Sequence, residues 1–408
     1  MRQILIGGYW DSLFLPTSST ELDSINGGYS WSSEWVASKV MPTNGTLSRL
    51  SVEIYYDGSS GTDPMGYSFT VLKNNVATAL TVKITSPGTQ EIDTADTVSV
   101  VAGDEISLQC APQNSPTTTA NAHWSIMFEG STAGESVVLS GIEGYTSTLY
   151  APVMTANGYS GSLSEADVLQ VMPTAGTFKK LYVLYPYGPG VGASWKFTLR
   201  KNSVDTALTV TISGATASGN DTADTVSVVA GDIVTMSCVV TGSPTAQPGA
   251  ISMVFAPTID GESIIMGDSN DAAHDNTAFE TNYLGPTDYD QVYTVAGNEF
   301  VDYQGGQSPP LGMILKKFYV AQTSASGAGA TWKYDIRCTG DTNTGITVSI
   351  SGALATTGND TTNTYKCVDY DRLHLGTTPT STPTVSQTCW SVVCYIAPKE
   401  PLPMFFPT

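Results

Sequence analysis

The stretch KNNVATALTV at residues 73–82 returns as KNSVDTALTV at residues 201–210. The stretch DTADTVSVVAGD at residues 93–104 returns in full at residues 221–232, with the same offset. A third, more diverged copy has ITVSIS at residues 346–351 in the equivalent place. The chain is therefore predicted to contain three tandem copies of one folding unit, far longer than the repeats of a solenoid.

The length of each copy is that of a small domain. Three copies share 408 residues, so each is long enough to enclose a core of its own. We predict domains at residues 1–134, 135–261 and 262–408. The junctions, at Glu135-Ser136 and Glu262-Ser263, follow the end of one copy closely, so neighbouring domains are expected to touch.

Alternation of apolar and polar side chains within the copies indicates strands. Trp195, Phe197 and Leu199 alternate with Lys196 and Thr198, which is the period of a half-buried strand. Two predicted hairpins follow in each copy, with Asn, Gly and Asp at the turns. Only 13% of the residues are charged, which disfavours long exposed helices. We predict an all-β chain of three antiparallel, jelly-roll-like β-sandwich domains with seven or eight strands each.

The charge and hydropathy of the chain limit its partners. A net charge of −20 repels nucleic-acid phosphates and anionic lipid, so neither is an expected partner. No apolar run is long enough to cross a bilayer, and the first residues do not resemble a signal peptide. We expect a chain that is made in the cytoplasm and is either kept there or released by a route other than secretion.

Residues with catalytic or metal-binding chemistry are few and scattered. The loop at residues 267–275 is rich in oxygen ligands and contains His274, but it lacks the regular spacing of a Ca²⁺ site. The loop at residues 220–224, repeated in all copies, is either a cation site or an Asx turn, and Asn363 in place of Asp224 favours the turn. No nucleophile, base and orienting residue recur together, so we predict neither an enzyme nor a cofactor or metal site.

Cysteines and basic residues show a second pattern. Four of the six cysteines lie in the third copy: Cys338, Cys367 and Cys394 fall on inward-facing positions and Cys389 on the opposite one. Buried free thiols are expected, and disulfides among these four stay open as an alternative. The recurrent basic positions lie on one strand of each copy and are either solvent-facing or edge-strand charges, or partners of an acidic neighbour; they are Arg49, Lys179, Lys180, Lys316 and Lys317.

Aromatic residues in variable segments are the candidate contact residues. Tyr283, Tyr289 and Tyr293 lie in a long irregular stretch beside acidic residues, a composition typical of partner or glycan contacts. The C-terminal segment is apolar and extended, and exposed apolar ends are costly. We therefore predict that Met404, Phe405 and Phe406 dock on another subunit or fold back on the chain.

The repeated core motif also resembles that of a known group. The run from Phe197 to Ile212 with the run from Asp224 to Asp232 resembles β-sandwich domains of tailed-phage virion proteins, including head-decoration, head-fibre and tail-associated components. The resemblance covers the core of all three copies and includes no catalytic motif. It implies a structural protein of a phage particle, located in the virion, whose partners are other virion proteins or further copies of itself.

Three similar domains in one chain suggest two arrangements: a mimic of a trimer on a roughly threefold site, or a projecting arm of stacked domains. Two other functions stay open. A receptor- or glycan-binding module would act through the Tyr-rich loops, and a subunit of a cell-surface filament or layer would need an export signal.

Overall fold

The computed structural model describes residues 2–8, 15–16, 18–32, 37–56, 66–85, 88–114, 116, 120–155, 161–269, 274–285, 293–294, 312–368 and 371–396. Nearly all regular structure in these residues is β-strand, as the alternating pattern predicts. Two short 3₁₀ helices, Glu165–Val168 and Thr339–Asp341, interrupt it. The prediction of an all-β chain is confirmed.

Each repeat contributes the same eight main strands, together with one to three additional short ones. In the first repeat these are β1 Arg2–Gly8, β2 Glu21–Ser24, β3 Gly27–Ser32, β4 Lys39–Val40, β5 Gly45–Tyr56, β6 Gly66–Lys73, β7 Val76–Thr85, β8 Gln90–Ile92, β9 Thr97–Val100, β10 Glu105–Gln113 and β11 Ala120–Gly130. In the second they are β12 Ser136–Gly144, β13 Leu149–Ala151, β14 Gln170–Val171, β15 Gly176–Leu184, β16 Gly190–Lys201, β17 Val204–Gly214, β18 Ser218–Val228, β19 Ile233–Thr241 and β20 Gln247–Pro257. In the third they are β21 Glu262–Asp268, β22 Glu280–Tyr283, β23 Tyr293–Thr294, β24 Met313–Gln322, β25 Gly327–Cys338, β26 Thr342–Gly352, β27 Thr357–Lys366, β28 His374–Thr380 and β29 Thr388–Ile396.

The strands of each repeat form two antiparallel sheets with one connectivity. In the second repeat the sheets have the orders β12-β20-β15-β18 and β13-β19-β16-β17. The first repeat has β1-β11-β5-β8 and β2-β10-β6-β7, and the third has β21-β29-β24-β27 and β22-β28-β25-β26. The eight main strands therefore follow the orders 1-8-3-6 and 2-7-4-5 in every repeat, which is the connectivity of a jelly roll.

The inward side chains of both sheets form one apolar cluster per repeat, as a sandwich requires. In the second repeat Trp195 and Tyr185 pack with ring centroids 4.9 Å apart, and the indole N–H of Trp195 donates to the Tyr145 carbonyl over 2.7 Å. All six cysteines are free and buried, in agreement with the expectation of buried thiols. Burial raises the pKa of the Cys238 thiol, so it stays protonated and unreactive at neutral pH.

Candidate functional site: the junctions between the repeats

The first strand of each repeat, here called an opening strand, is buried on both faces. The opening strands are β1, β12 and β21, each at the edge of its sheet. Every residue of β21 is buried. An exposed edge strand would invite pairing with other chains, whereas these edge strands are buried.

The two faces of each opening strand belong to two different cores. Leu5 of β1 joins the core of the first repeat, whereas Ile4 and Ile6 join the core of the third. Val138 joins its own core, whereas Val137 and Leu139 join that of the first repeat. In β21, Ile265 joins its own core, whereas Ile264 and Met266 join that of the second.

This exchange is cyclic, because the first repeat packs on the third, the second on the first, and the third on the second. A row of stacked domains would leave the first and third repeats apart. The three jelly rolls therefore form a closed ring, in which equivalent residues of the opening strands make the contact at all three interfaces.

Two side-chain amides form hydrogen bonds between the first and second repeats. The Gln3 side chain exchanges two hydrogen bonds of 2.7 Å with the backbone of Val137, so that it acts as an extra strand pair between the first and second repeats. The Asn26 amide donates to the carbonyls of Leu139 and Thr155, each over 3.0 Å. The space left among residues from all three opening strands is only about 20 Å³.

A buried carboxylate lies at each of the two directly connected junctions; Glu135 and Glu262 are here called the junction carboxylates. Glu135 accepts from Lys179 and Lys180 of the second repeat over 2.9 and 2.8 Å. It also accepts from the Thr43 hydroxyl of the first repeat over 2.5 Å. The Glu135 carboxylate thus links the first repeat to the second.

The second junction reproduces this geometry. Glu262 accepts from Lys316 and Lys317 over 2.9 and 2.7 Å, and from the Thr174 hydroxyl over 2.7 Å. The pKa of both junction carboxylates is lowered. Desolvation by burial acts to raise it, but the hydrogen bonds from lysine and threonine outweigh desolvation.

A repeated β-bulge explains how two consecutive lysines reach one carboxylate. Side chains of successive residues in a regular strand point to opposite faces. Lys180 and Lys317 instead have φ of 55° and 53°, where the strand register shifts. Bulges of this kind re-aim a side chain. Arg49 has the same conformation, with φ of 55°, so the bulge is a property of the repeat.

The basic residues therefore do not have the edge-strand role considered from the sequence. That interpretation is wrong, because β15 and β24 lie between two other strands in their sheets. The alternative, pairing with an acidic neighbour, is confirmed for the four lysines. At the third junction a different pair spans the repeats: Arg372 donates to both carboxylate oxygens of Glu53, over 2.8 and 3.2 Å.

The repeated aspartate segment is an Asx motif at a break in strand register, because residues 220–224 lie within β18 where its pairing with β15 shifts. Asp221 accepts hydrogen bonds from the backbone amides of Ala223, Asp224 and Thr209, each over 3.1 Å. Asp360 accepts a matching set. Desolvation acts to raise the pKa of Asp360, but these hydrogen bonds lower it to about 2. The carboxylate is saturated by its own backbone, as the Asx-turn interpretation predicts.

His274 is buried and paired. Its Nδ1 lies 2.9 Å from Glu280 Oε2, and the backbone amide of Asp275 donates to the other oxygen of Glu280. The rest of the oxygen-rich loop, at residues 270–273, lies outside the described residues. Within the part of the chain that the structure describes, no three His, Cys, Asp or Glu side chains come close enough to hold a metal ion.

The predicted contact residues are only partly covered by the structure. Tyr283 ends β22 and Tyr293 begins β23, and these two strands pair at the edge of a sheet. Tyr289 and the apolar C-terminal residues Met404, Phe405 and Phe406 lie outside the described residues. The backbone thus brings two of the three tyrosine positions onto adjacent strands.

The sequence indicated the junction positions and a possible acidic partner for the lysines, but it did not identify that partner or the threonines. Thr43 and Thr174 end a repeated Val-Met-Pro-Thr motif, and the junction carboxylates occupy equivalent places before the opening strands. The signal was the recurrence of the same threonine and the same glutamate at equivalent positions of two copies.

Comparison with protein-family models finds no match for the chain, and comparison with curated proteins finds none. No helix among the described residues is both long and apolar enough to cross a membrane.

Proposed function

We propose that the protein is a non-enzymatic structural component of a virus particle, of the kind found in tailed phages. The observation that carries this proposal is the cyclic packing of three equivalent jelly rolls. One chain thereby has the shape of a trimer, which suits a site of threefold or near-threefold symmetry on a shell or tail. Projecting arms of stacked domains would not need a closed ring.

A repeated apolar surface supports attachment through protein contacts. Val101, Val229 and Val368 occupy the same turn in the three repeats and are 51%, 59% and 56% exposed. Because the repeats are related by rotation around the ring, equivalent turns lie on the same face. Apolar side chains that recur on one face are typical of a surface that binds a partner.

The proposal predicts that the protein is present in purified particles of the virus that encodes it. Mass spectrometry of gradient-purified particles should find it at a fixed ratio to the major shell protein. Its absence from particles, or its presence at a variable trace level, would contradict the proposal. Binding of the isolated chain to a glycan array without particle association would favour the receptor-binding alternative, and recovery from cell-surface layers would favour the filament alternative.

The apolar face is tested separately. Replacing Val101, Val229 and Val368 together by Asp should lower incorporation into particles by about tenfold or more, because three charges are placed in a partner contact. The matched control replaces Leu163 and Leu354 by Asp, which are 79% and 93% exposed at other positions. Equal incorporation of both variants would show that this face is not the attachment surface.

A further inference from the structure

The third junction has an arginine where the other two have a carboxylate. The pairing of its opening strand with β11 places Arg2 at the position that Glu135 has in the second repeat. By the same alignment, Ser48 and Arg49 stand in place of the first and second lysines. Where the other junctions have one carboxylate between two ammonium groups, this junction has two guanidinium groups.

Arg49 retains the backbone conformation that brings a base to the junction. Its φ of 55° equals that of Lys180, and it lies where the register between β5 and β11 shifts. In the second repeat this bulge carries the Lys180 Nζ to 2.8 Å from Glu135. Of the five arginines in the sequence, Arg49 alone makes no ion pair with a residue that the structure describes.

An open cleft of about 550 Å³ lies at this position, within the range of about 300–1,000 Å³ that is typical of small-molecule sites. Its lining includes Arg2, Arg49 and the hydroxyl-bearing residues Thr46 and Ser48. Glu129 is the only acidic residue among the described residues that line it. The cleft thus contains more cationic and hydroxyl donors than carboxylates to accept from them.

Glu129 does not use up the donors of Arg2. Its carboxylate is half exposed and lies 3.5 Å from Arg2 Nε, which is longer than a strong charge-assisted hydrogen bond. A guanidinium has five N–H donors. Arg2 therefore keeps donors for a second acceptor.

The two other junctions show which chemical group this arrangement binds. In the first of them, two basic side chains and one hydroxyl surround a single carboxylate. Guanidinium groups match a carboxylate better than ammonium groups do, because two parallel N–H donors meet its two oxygens. Two guanidinium groups in one cleft therefore suit a ligand with two carboxylates.

We propose that this cleft binds a small dicarboxylic acid, with one carboxylate on Arg49 and the other on Arg2. The hydroxyls of Thr46 and Ser48 supply further donors. The site is a property of the isolated chain and does not depend on any role in a virus particle.

NMR of the full chain labelled with ¹⁵N-arginine tests this directly. The five Nε–H signals are followed during titration with glutarate at constant ionic strength. The signals of Arg2 and Arg49 should shift and reach saturation. Arg200, Arg337 and Arg372 already pair with carboxylates of the chain, so their signals should stay in place and serve as internal controls.

The variant Arg49→Gln should weaken glutarate binding by about tenfold or more, as read from the Arg2 signal, because a charge-assisted hydrogen bond is lost. The matched control Lys196→Gln removes a basic side chain at an exposed position of the second repeat and should leave binding unchanged. Equal binding by both variants would overturn the proposal. So would the lack of a saturable shift at Arg2 and Arg49, or equal shifts of all five signals.

Two further titrations define the ligand class, one with inorganic phosphate and one with the blocked dipeptide acetyl-Glu-Glu-amide. Glutarate should bind more tightly than both. Tighter binding of phosphate would assign the cleft to phosphoryl groups, and tighter binding of the dipeptide would assign it to an acidic protein segment. Either result would overturn the proposal.

Discussion

Replacing Ile6 by Asp should lower the free energy of unfolding by about 4 kcal/mol, because it buries an unpaired carboxylate. Ile6 is 2% exposed and lies in the core of the third repeat, although it belongs to the first. The substitution therefore disrupts the contact between the first and third repeats. It leaves Leu5, the residue of this strand that faces the core of the first repeat, in place. Urea denaturation at pH 7 measures the effect.

The matched control is Val204→Asp, which introduces the same side chain at a position that is 66% exposed. Its effect should stay within about 0.5 kcal/mol. If Ile6→Asp lowered the free energy of unfolding no more than Val204→Asp, the first and third repeats would not be packed together. The ring would then not exist in solution.

The Glu262→Gln substitution should lower the free energy of unfolding by about 2 kcal/mol at pH 7. It leaves Lys316 and Lys317 without their carboxylate at a junction where Glu262 is fully buried. Losing one partner of a buried ion pair costs about 3–5 kcal/mol. The lysine side chains are 24% and 25% exposed, so water stabilises the stranded charges and reduces that cost.

The effect of Glu262→Gln should depend on pH in one direction. The folded pKa of Glu262 lies below its ordinary value of 4.5, so the carboxylate contributes its full stability above that value. The contribution is lost as pH falls from 4.5 through the folded pKa. The difference between wild type and variant should therefore shrink in acid. The control is Glu91→Gln, at an exposed position, and a difference that grows in acid would contradict the assigned pairing.

The sequence was sufficient to predict the content of each repeat. Alternation at Trp195, Phe197 and Leu199 reflects a half-buried strand, and all three side chains are buried in one core. The Asx motif at Asp221 was also predictable, because an aspartate two or three residues before free backbone amides satisfies them locally. Such features depend on near neighbours in the chain.

The junctions were harder to predict because they depend on residues far apart. Arg372 and Glu53 are paired across 319 positions, and no local pattern links them. The apolar triplet Ile4-Leu5-Ile6 does carry a signal, since an unbroken apolar run is typical of a strand buried on both faces. The sequence does not say which repeat covers the second face. The bulge at Lys180, a non-glycine residue with positive φ, has no sequence signature.

Small-angle X-ray scattering of the purified chain, with its mass measured on the same sample, tests the closed ring most directly. A compact monomer of 408 residues should have a radius of gyration of about 22 Å. Three jelly rolls in a row, without contact between the first and third, would give roughly 30 Å. A monomer near the larger value would contradict the cyclic packing of the opening strands, on which the trimer-like role rests.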